Sequence, residues 1–496
     1  MNDLKKKAFL GVIWGSGNYV FQQIILLVVK LVLVRLLIPD EFGIAAMAWI
    51  IISSLSIINA FGTDTAFVRD NKSDQIKAKN TLFYLDSIAL LLIAVIGFFS
   101  APLVAGFFGK KISNPETIIS LMWMMRLLAL TQLLYIITIV PSCILSKKLR
   151  FKEGVIANII GTIAYGLLTT VFAFLGFGAW AIIIGQIASI VATNITIFAY
   201  SPFIPSLIFD KKIAIKYLNF GKNAFFNSIM SVIITNGDDT LVGRIIGSAA
   251  LGFYSLGQHF ASLVVALISG MINGVMFPVL SKLQDDRKTF TKAFFKAFRL
   301  TKMFAIPSIG GAVILAKEIV VLIFGENWLP IIPIFYLLSI SALLNNLVGQ
   351  AEDVLNSLNK PHILRNNKLI QFGFYVILIY PFIKLWGLNG LCLVFIIFSL
   401  VSVFHLFPIL AKEIPGFYPF ILKILSKILL CTLFMMGVVY YAKGFLPVNF
   451  ISLLVLVILG VIAYFIPMWF LDKELKWDLQ EGWGVIKEKF AFMQKE

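Results

Sequence analysis

Between Asn223 and Pro278 the chain is apolar enough for lipid, yet it carries Asp238, Asp239, Arg244 and His259. An ionisable side chain at membrane depth costs roughly 2.5–3.5 kcal/mol on insertion scales, so such groups normally face a wet cavity or a partner. A carboxylate placed there can neutralise a cation or carry a proton, and histidine titrates near neutral pH. A polar stripe leads up to them. Asn223, Asn227, Ser231, Thr235 and then Asp238 or Asp239 recur at steps of three or four, which is one face of a helix. A looser stripe opens the chain: Gly11, Gly15, Asn18, Gln22 or Gln23, and Lys30. For the neutral members, close helix packing and cavity lining both remain open.

Three further ionisable positions extend the set. Lys30, Arg126 and Lys302 lie within apolar runs and are candidates to hold an anionic cargo group. The arginine fork suits phosphate because it can bind two oxygens at once, whereas lysine acts as a point charge. Asn18, Gln23, Asn227 and Ser231 would line the same space. Asp238 or Asp239 could neutralise Lys30 when that space is empty. Asp64, Asp86 and His259 join them as charge-pair or coupling candidates. A set of interhelix salt bridges or a satisfied structural histidine, with no cargo role, is the competing reading. Arg35 and Arg244 fall at span ends, where snorkelling to lipid headgroups is expected.

The elements that must position these residues are transmembrane helices. The chain of 496 residues is 59% hydrophobic and 14% charged, against about half and a quarter in soluble domains. Apolar runs of about 20 residues recur from end to end, each long enough to span a bilayer. The fold class is therefore an all-α polytopic membrane protein. Hydropathy places about fourteen spans, at roughly 8–36, 43–67, 81–108, 117–144, 154–175, 178–200, 222–246, 250–280, 293–324, 330–352, 364–385, 388–411, 418–442 and 448–471. The first shows no cleavage site and reads as a retained span.

Lysine and arginine concentrate in alternate loops: Arg69, Lys72, Lys77 and Lys79; Lys147, Lys148, Arg150 and Lys152; Lys211, Lys212 and Lys216; Lys282, Arg287 and Lys288; Lys360, Arg365 and Lys368. This bias puts both termini in the cytoplasm. It also accounts for the net charge of +17 without nucleic acid.

The chain reads as a duplication. A shift of about 209 positions lays Arg244–Gly252 over Arg35–Gly43, Asn227 over Asn18, and Asp239 over Lys30. Weaker echoes pair Phe107-Phe-Gly109 with Ile323-Phe-Gly325, Leu145-Ser-Lys147 with Leu358-Asn-Lys360, and Leu175-Gly-Phe177 with Trp386-Gly-Leu388. Two pseudo-symmetric six-helix lobes in the same orientation follow, a known transporter plan. The expected divisions are an N-lobe at 1–200, a cytoplasmic linker at 201–221, a C-lobe at 222–411 and two more spans at 412–472. An amphipathic or simply solvated tail follows at 473–496.

Enzyme signals are absent: no P-loop, GxSxG or HExxH occurs. Cys143, Cys392 and Cys431 are isolated, with neither metal-ligand spacing nor a disulfide framework. No metal and no cofactor is expected, apart from a coupling H⁺ or Na⁺.

Asp238-Asp-Thr-Leu-Val-Gly-Arg-Ile-Ile-Gly-Ser-Ala-Ala-Leu-Gly-Phe-Tyr254, followed by Phe277-Pro-Val-Leu-Ser281, resembles the Wzx-type polysaccharide flippases of the MOP exporter superfamily. Val34–Gly43 and Asn356-Ser-Leu-Asn-Lys-Pro361 agree with it, and the branch resembled exports colanic acid, teichuronic acid and similar polymers. The resemblance implies a V-shaped, MATE-like pair of lobes opening alternately to each side. It implies a cargo of undecaprenyl-pyrophosphate-linked oligosaccharide, moved from the inner to the outer leaflet of the bacterial inner membrane for O-antigen, capsule or exopolysaccharide synthesis. A monomer, working beside a polymerase and glycosyltransferases, is the expected form. The cavity here mixes acidic and basic residues, where the resemblance leads one to expect cations. The rivals are a cation-coupled multidrug exporter, a peptidoglycan lipid-precursor flippase of the same fold, and a membrane-embedded synthase or scaffold.

Overall fold

A computed structural model describes residues 2–55, 62–70, 73–112 and 114–472, with side chains undescribed at 2–16, 19–20, 55, 221–231, 233–235, 263–275 and 277–278. Among the described residues the structure is all-helical, with no strand. The helices are α1 (Asn2–Leu36), α2 (Pro39–Leu55), α3 (Thr63–Arg69), α4 (Gln75–Phe108), α5 (Pro115–Thr131), α6 (Ile139–Lys147), α7 (Phe151–Phe174), α8 (Ala179–Tyr200), α9 (Lys211–Ile245), α10 (Ser248–Lys282), α11 (Arg287–Ile314), α12 (Ala316–Ile319), α13 (Ile331–Ser357), α14 (Pro361–Glu413), α15 (Phe417–Lys443) and α16 (Phe450–Leu471). Nine helical runs among the described residues are long and apolar enough to cross a membrane. The tail at 473–496 lies outside the described residues.

The helix ends follow from local chemistry. Pro39 opens α2, because its fixed φ suits a first helical position and its missing N–H has no partner to lose there. Asp74 caps α4 by accepting from the N–H groups of Ile76 and Lys77, and Asp286 caps α11 from Lys288 and Thr289. Asp286 is exposed, and its carboxyl is held below the usual range, chiefly by the Thr289 hydroxyl it accepts from. The expected span at 117–144 is α5, a 3-10 stretch at Gln132–Thr138, and α6. Pro141 cannot donate to the carbonyl four residues back, so the helix tightens before it.

The expected spans at 364–385 and 388–411 are the two helical halves of α14, separated at Gly387, where the backbone leaves the helical region at φ 58°, ψ −135°. Gly178, ahead of α8, has nearly the same conformation at φ 57°, ψ −132°. Both lie in the left-handed half of the map that glycine alone enters at little cost. The turns ahead of these helix pairs also match. Leu149 (φ 55°) and Asn359 (φ 57°) follow α6 and α13, and the next N–H returns to Leu145 in one case and Leu355 in the other.

These pairs correct the sequence register. Gly387 corresponds to Gly178 and not to Gly176, and Lys360 corresponds to Arg150 and not to Lys147. The repeat thus keeps an offset of 209 or 210 positions through this part of the chain.

The chain divides into two compact units, Met1–Ser255 and Leu256–Glu496. In the first, Phe67, Leu82, Val140 and Tyr217 form one core, and Val29, Leu33, Ala173 and Ala181 another. In the second, Phe290, Phe294, Phe298, Phe417, Ile428 and Tyr464 belong to one large core that includes residues of α15 and α16. Outward-facing Leu103, Phe99, Tyr441 and Phe470 are exposed in both units, as side chains that meet lipid should be.

Candidate functional site

The repeated segments meet in the first unit. α2 begins at Pro39 and α10 at Ser248, positions 209 apart, and each helix carries a glycine four residues on, Gly43 and Gly252. A Cβ on Gly43 would lie 1.7 Å from the Ser248 carbonyl oxygen, and one on Gly252 would lie 2.0 Å from that of Pro39. Each glycine therefore rests on the first turn of the other helix, a contact with local two-fold character. Small residues allow this close backbone approach in lipid. The Ser248 hydroxyl donates to Asp40. Nearby, Arg244 donates to the Phe107 carbonyl and sits over that ring at 4.5 Å, so it is held by protein.

Further along α9 lie the acidic candidates. Asp238 is buried and accepts from the Tyr254 hydroxyl at 2.5 Å. Its Oδ1, the Oδ1 of Asp239 and the Oδ1 of Asn18 are buried without a hydrogen-bond partner among the described residues. Lys30 is half-buried on α1, and no hydrogen bond or ion pair joins it to Asp238, Asp239 or any other described residue. The expected neutralising pair is therefore not formed in this structure. Gln23 is half-buried on the same helix. Asn227 and Ser231 fall on α9, but their side chains lie outside the described residues.

Asp64 and Asp86 line a cavity of about 440 Å³ in the first unit, with Tyr135, Thr138 and Ser142. The Thr63 hydroxyl donates to Asp86 at 2.6 Å, and exposed Asp64 accepts from the Thr65 N–H at 2.6 Å. Arg126 stands apart from both sets, between Phe98 at 4.8 Å and Trp123 at 5.0 Å. Its Nε is buried without a hydrogen-bond partner among the described residues.

In the second unit Lys302 is fully buried. Its ammonium donates to the Asn346 carbonyl and to Gln350 Oε1 at 2.8 Å, and lies 4.8 Å from the Phe298 ring centre. Gln350 in turn donates to Thr301 at 2.9 Å. These contacts engage the lysine inside its own unit. His259 is half-buried beside Phe260.

Sequence reasoning passed over two polar groups. Along α14, Asn367 and Gln371 both donate to Ser402, at 2.8 and 2.6 Å, and His405 meets Asn367 at 3.1 Å. At the end of α3, buried Asp70 holds Lys216 at 2.8 Å and accepts from Tyr217 at 3.2 Å, while its carbonyl takes a bond from Lys147 at 2.6 Å. The i, i+4 spacing of Asn367 and Gln371 within an apolar run was the available signal for the first. No metal-binding group of three or more His, Cys, Asp or Glu occurs among the described residues.

Apolar helices of this length, in two units that repeat one another's turns, define a multi-pass helical membrane protein. The fold is shared with the lipid II flippase MurJ in an inward closed conformation, at a TM-score of 0.78 and 19% identity over 94% of this chain and 99% of that one. A MATE family multidrug transporter of the MOP superfamily, inward-facing, matches at 0.59 and 15% identity over 79% and 94%.

Residues 32–333 match the family described as polysaccharide biosynthesis protein, and the chain belongs to that family. Among its relatives, the lipopolysaccharide biosynthesis protein WzxC of Escherichia coli (strain K12) is 23% identical over 83% of this chain and 82% of WzxC. The succinoglycan biosynthesis transport protein ExoT of Rhizobium meliloti (strain 1021) is 23% identical over 62% of this chain and 61% of ExoT. The teichuronic acid biosynthesis protein TuaB of Bacillus subtilis (strain 168) is 25% identical over 56% of each. The match thus spans under two thirds of ExoT and of TuaB.

Proposed function

We propose that this chain is a flippase, and not an enzyme, that moves an undecaprenyl-pyrophosphate-linked oligosaccharide from the inner to the outer leaflet of a bacterial inner membrane. The observation that carries the reading is Lys30, half-buried in an apolar helix with no counter-charge among the described residues. An unpaired ammonium in lipid would be expensive, and a wet passage that admits a diphosphate removes the cost. The buried oxygens of Asn18, Asp238 and Asp239 without hydrogen-bond partners support the same reading, since each such atom costs about 1–3 kcal/mol unless water or cargo reaches it. Family membership and the names of WzxC, ExoT and TuaB support the substrate class.

In this mechanism Lys30 meets the diphosphate while the polyprenyl tail stays in lipid. Asp238 and Asp239 take up a coupling H⁺ or Na⁺, with His259 as a further proton site. The lysine-rich loops and both termini face the cytoplasm. The crossing at Gly43 and Gly252 closes the outer side and parts for release.

Deletion of the gene should make lipid-linked oligosaccharide accumulate on the inner leaflet and abolish surface polymer, with restoration by the wild-type chain and not by Lys30→Ala. Normal polymer from Lys30→Ala at wild-type protein level would remove the reading. Drug efflux without effect on polymer would favour the multidrug alternative.

A further inference from the structure

The second unit carries a small charged cavity unrelated to Lys30 and the acids of α9. Arg299 on α11, Lys423 and Lys427 on α15, and Asp472 at the end of α16 surround about 50 Å³, next to Phe420. One water needs about 10–15 Å³ of such space, so the cavity takes a few waters or a polar group of similar size. Among the described residues three cations face one anion.

Asp472 sits where α16 ends, at the negative pole of that helix, and is almost fully buried. Lys427 compensates it at 3.5 Å. Its second oxygen, Oδ2, is buried and has no hydrogen-bond partner among the described residues. Arg299 is also buried, 5% exposed, whereas Lys423 is exposed at the rim. Phe420 stacks on Phe295 at 3.9 Å and makes one wall rigid. Leu422 and Phe470, which neighbour Lys423 and Asp472 in the sequence, are exposed apolar side chains that acyl chains can meet.

We infer that this cavity binds the headgroup of an anionic phospholipid that carries a hydroxyl donor, of the phosphatidylglycerol type. The phosphodiester takes Arg299, Lys423 and Lys427, and the headgroup hydroxyl donates to Asp472 Oδ2. Basic pockets between transmembrane helices at the lysine-rich face recognise anionic headgroups by this chemistry. The excess positive charge selects against zwitterionic lipid, and the acceptor on Asp472 selects for a headgroup with a donor. A lipid seated there ties α11 to the two C-terminal helices.

Native mass spectrometry of the purified full-length chain tests this, with phosphatidylglycerol, phosphatidylethanolamine and inorganic phosphate as separate probes. The wild type should retain phosphatidylglycerol about tenfold more strongly than phosphatidylethanolamine, and Lys423→Gln should lower that retention about tenfold, the effect of one charge-assisted hydrogen bond. Lys423 is exposed, so its variant should fold. Lys292→Gln, on the exposed part of α11 away from the cavity, should leave retention unchanged. Equal retention by wild type and Lys423→Gln, or of the two lipids, would overturn the site. Displacement of the lipid by equimolar inorganic phosphate would overturn its assignment to a lipid.

Discussion

A single methyl group at the α2–α10 crossing tests whether that contact holds a closed state together. In Gly43→Ala the new Cβ would lie 1.7 Å from the Ser248 carbonyl oxygen, and the obstacle is backbone, which no rotamer change can move. An ordinary carbon–oxygen contact is roughly 3.3 Å, so the helix starts must part by about 1.6 Å. Overpacking on this scale costs about 1–3 kcal/mol. If the crossing exists only in the closed state, that cost shifts the closed-to-open ratio roughly 5- to 150-fold towards open. The assay is labelling of Ser248→Cys by a membrane-impermeant maleimide from the outer side, since Ser248 is buried and the native Cys143, Cys392 and Cys431 are buried too. Labelling should rise at least fivefold with Gly43→Ala, and Gly252→Ala should do the same, its Cβ meeting Pro39 at 2.0 Å. Gly349→Ala, whose Cβ meets nothing within 4 Å, is the control. Unchanged labelling in both glycine variants would refute the argument.

Lys302→Ala should lower the melting temperature, by a loss of about 1–3 kcal/mol, because it removes the donor to Gln350 Oε1 in a fully buried place; thermal denaturation in detergent checks it, and an unchanged melting temperature would contradict it. Gly178→Ala and Gly387→Ala should each cost about 1–3 kcal/mol from positive-φ backbone alone, and at Gly178→Ala the Glu41 carboxylate, 2.4 Å from the new Cβ, must also shift; equal melting curves for Gly387→Ala and Gly373→Ala would contradict this. Reporter fusions at residues 150 and 285 should both report the cytoplasm, and either one outside would overturn the orientation.

Hydropathy found the nine helical runs that are long and apolar enough to cross a membrane among the described residues, because a bilayer leaves helices little choice, and the loops at Gly178 and Leu149 fall where apolar runs stop. The duplication was legible, but its register beyond Gly43 and Gly252 was not. Gly176 and Gly178 read alike in the sequence, and only the dihedral angles single out Gly178 as the partner of Gly387. The sequence marks Lys302 and Arg126 as costly charges without revealing what surrounds them. The partners of Lys302, at Asn346 and Gln350, are 44 and 48 residues away and carry no charge to advertise the contact. Arg126 is framed by rings, and aromatic side chains abound in every span. The Asn367–Gln371–Ser402 group escaped notice because attention to ionisable residues undervalues neutral amides, which in lipid also require partners.

Everything functional depends on Lys30 reaching a wet passage that accepts a diphosphate. Reconstitution of the full chain into liposomes holding a fluorescent polyprenyl-diphosphate oligosaccharide measures this directly, by the fraction of label that becomes accessible to an external quencher. Wild-type protein should expose label from the inner leaflet, Lys30→Arg should retain part of that activity, and Lys30→Ala should fall to the rate of empty liposomes. Equal rates for wild type and Lys30→Ala, with both proteins folded and inserted, would contradict the account.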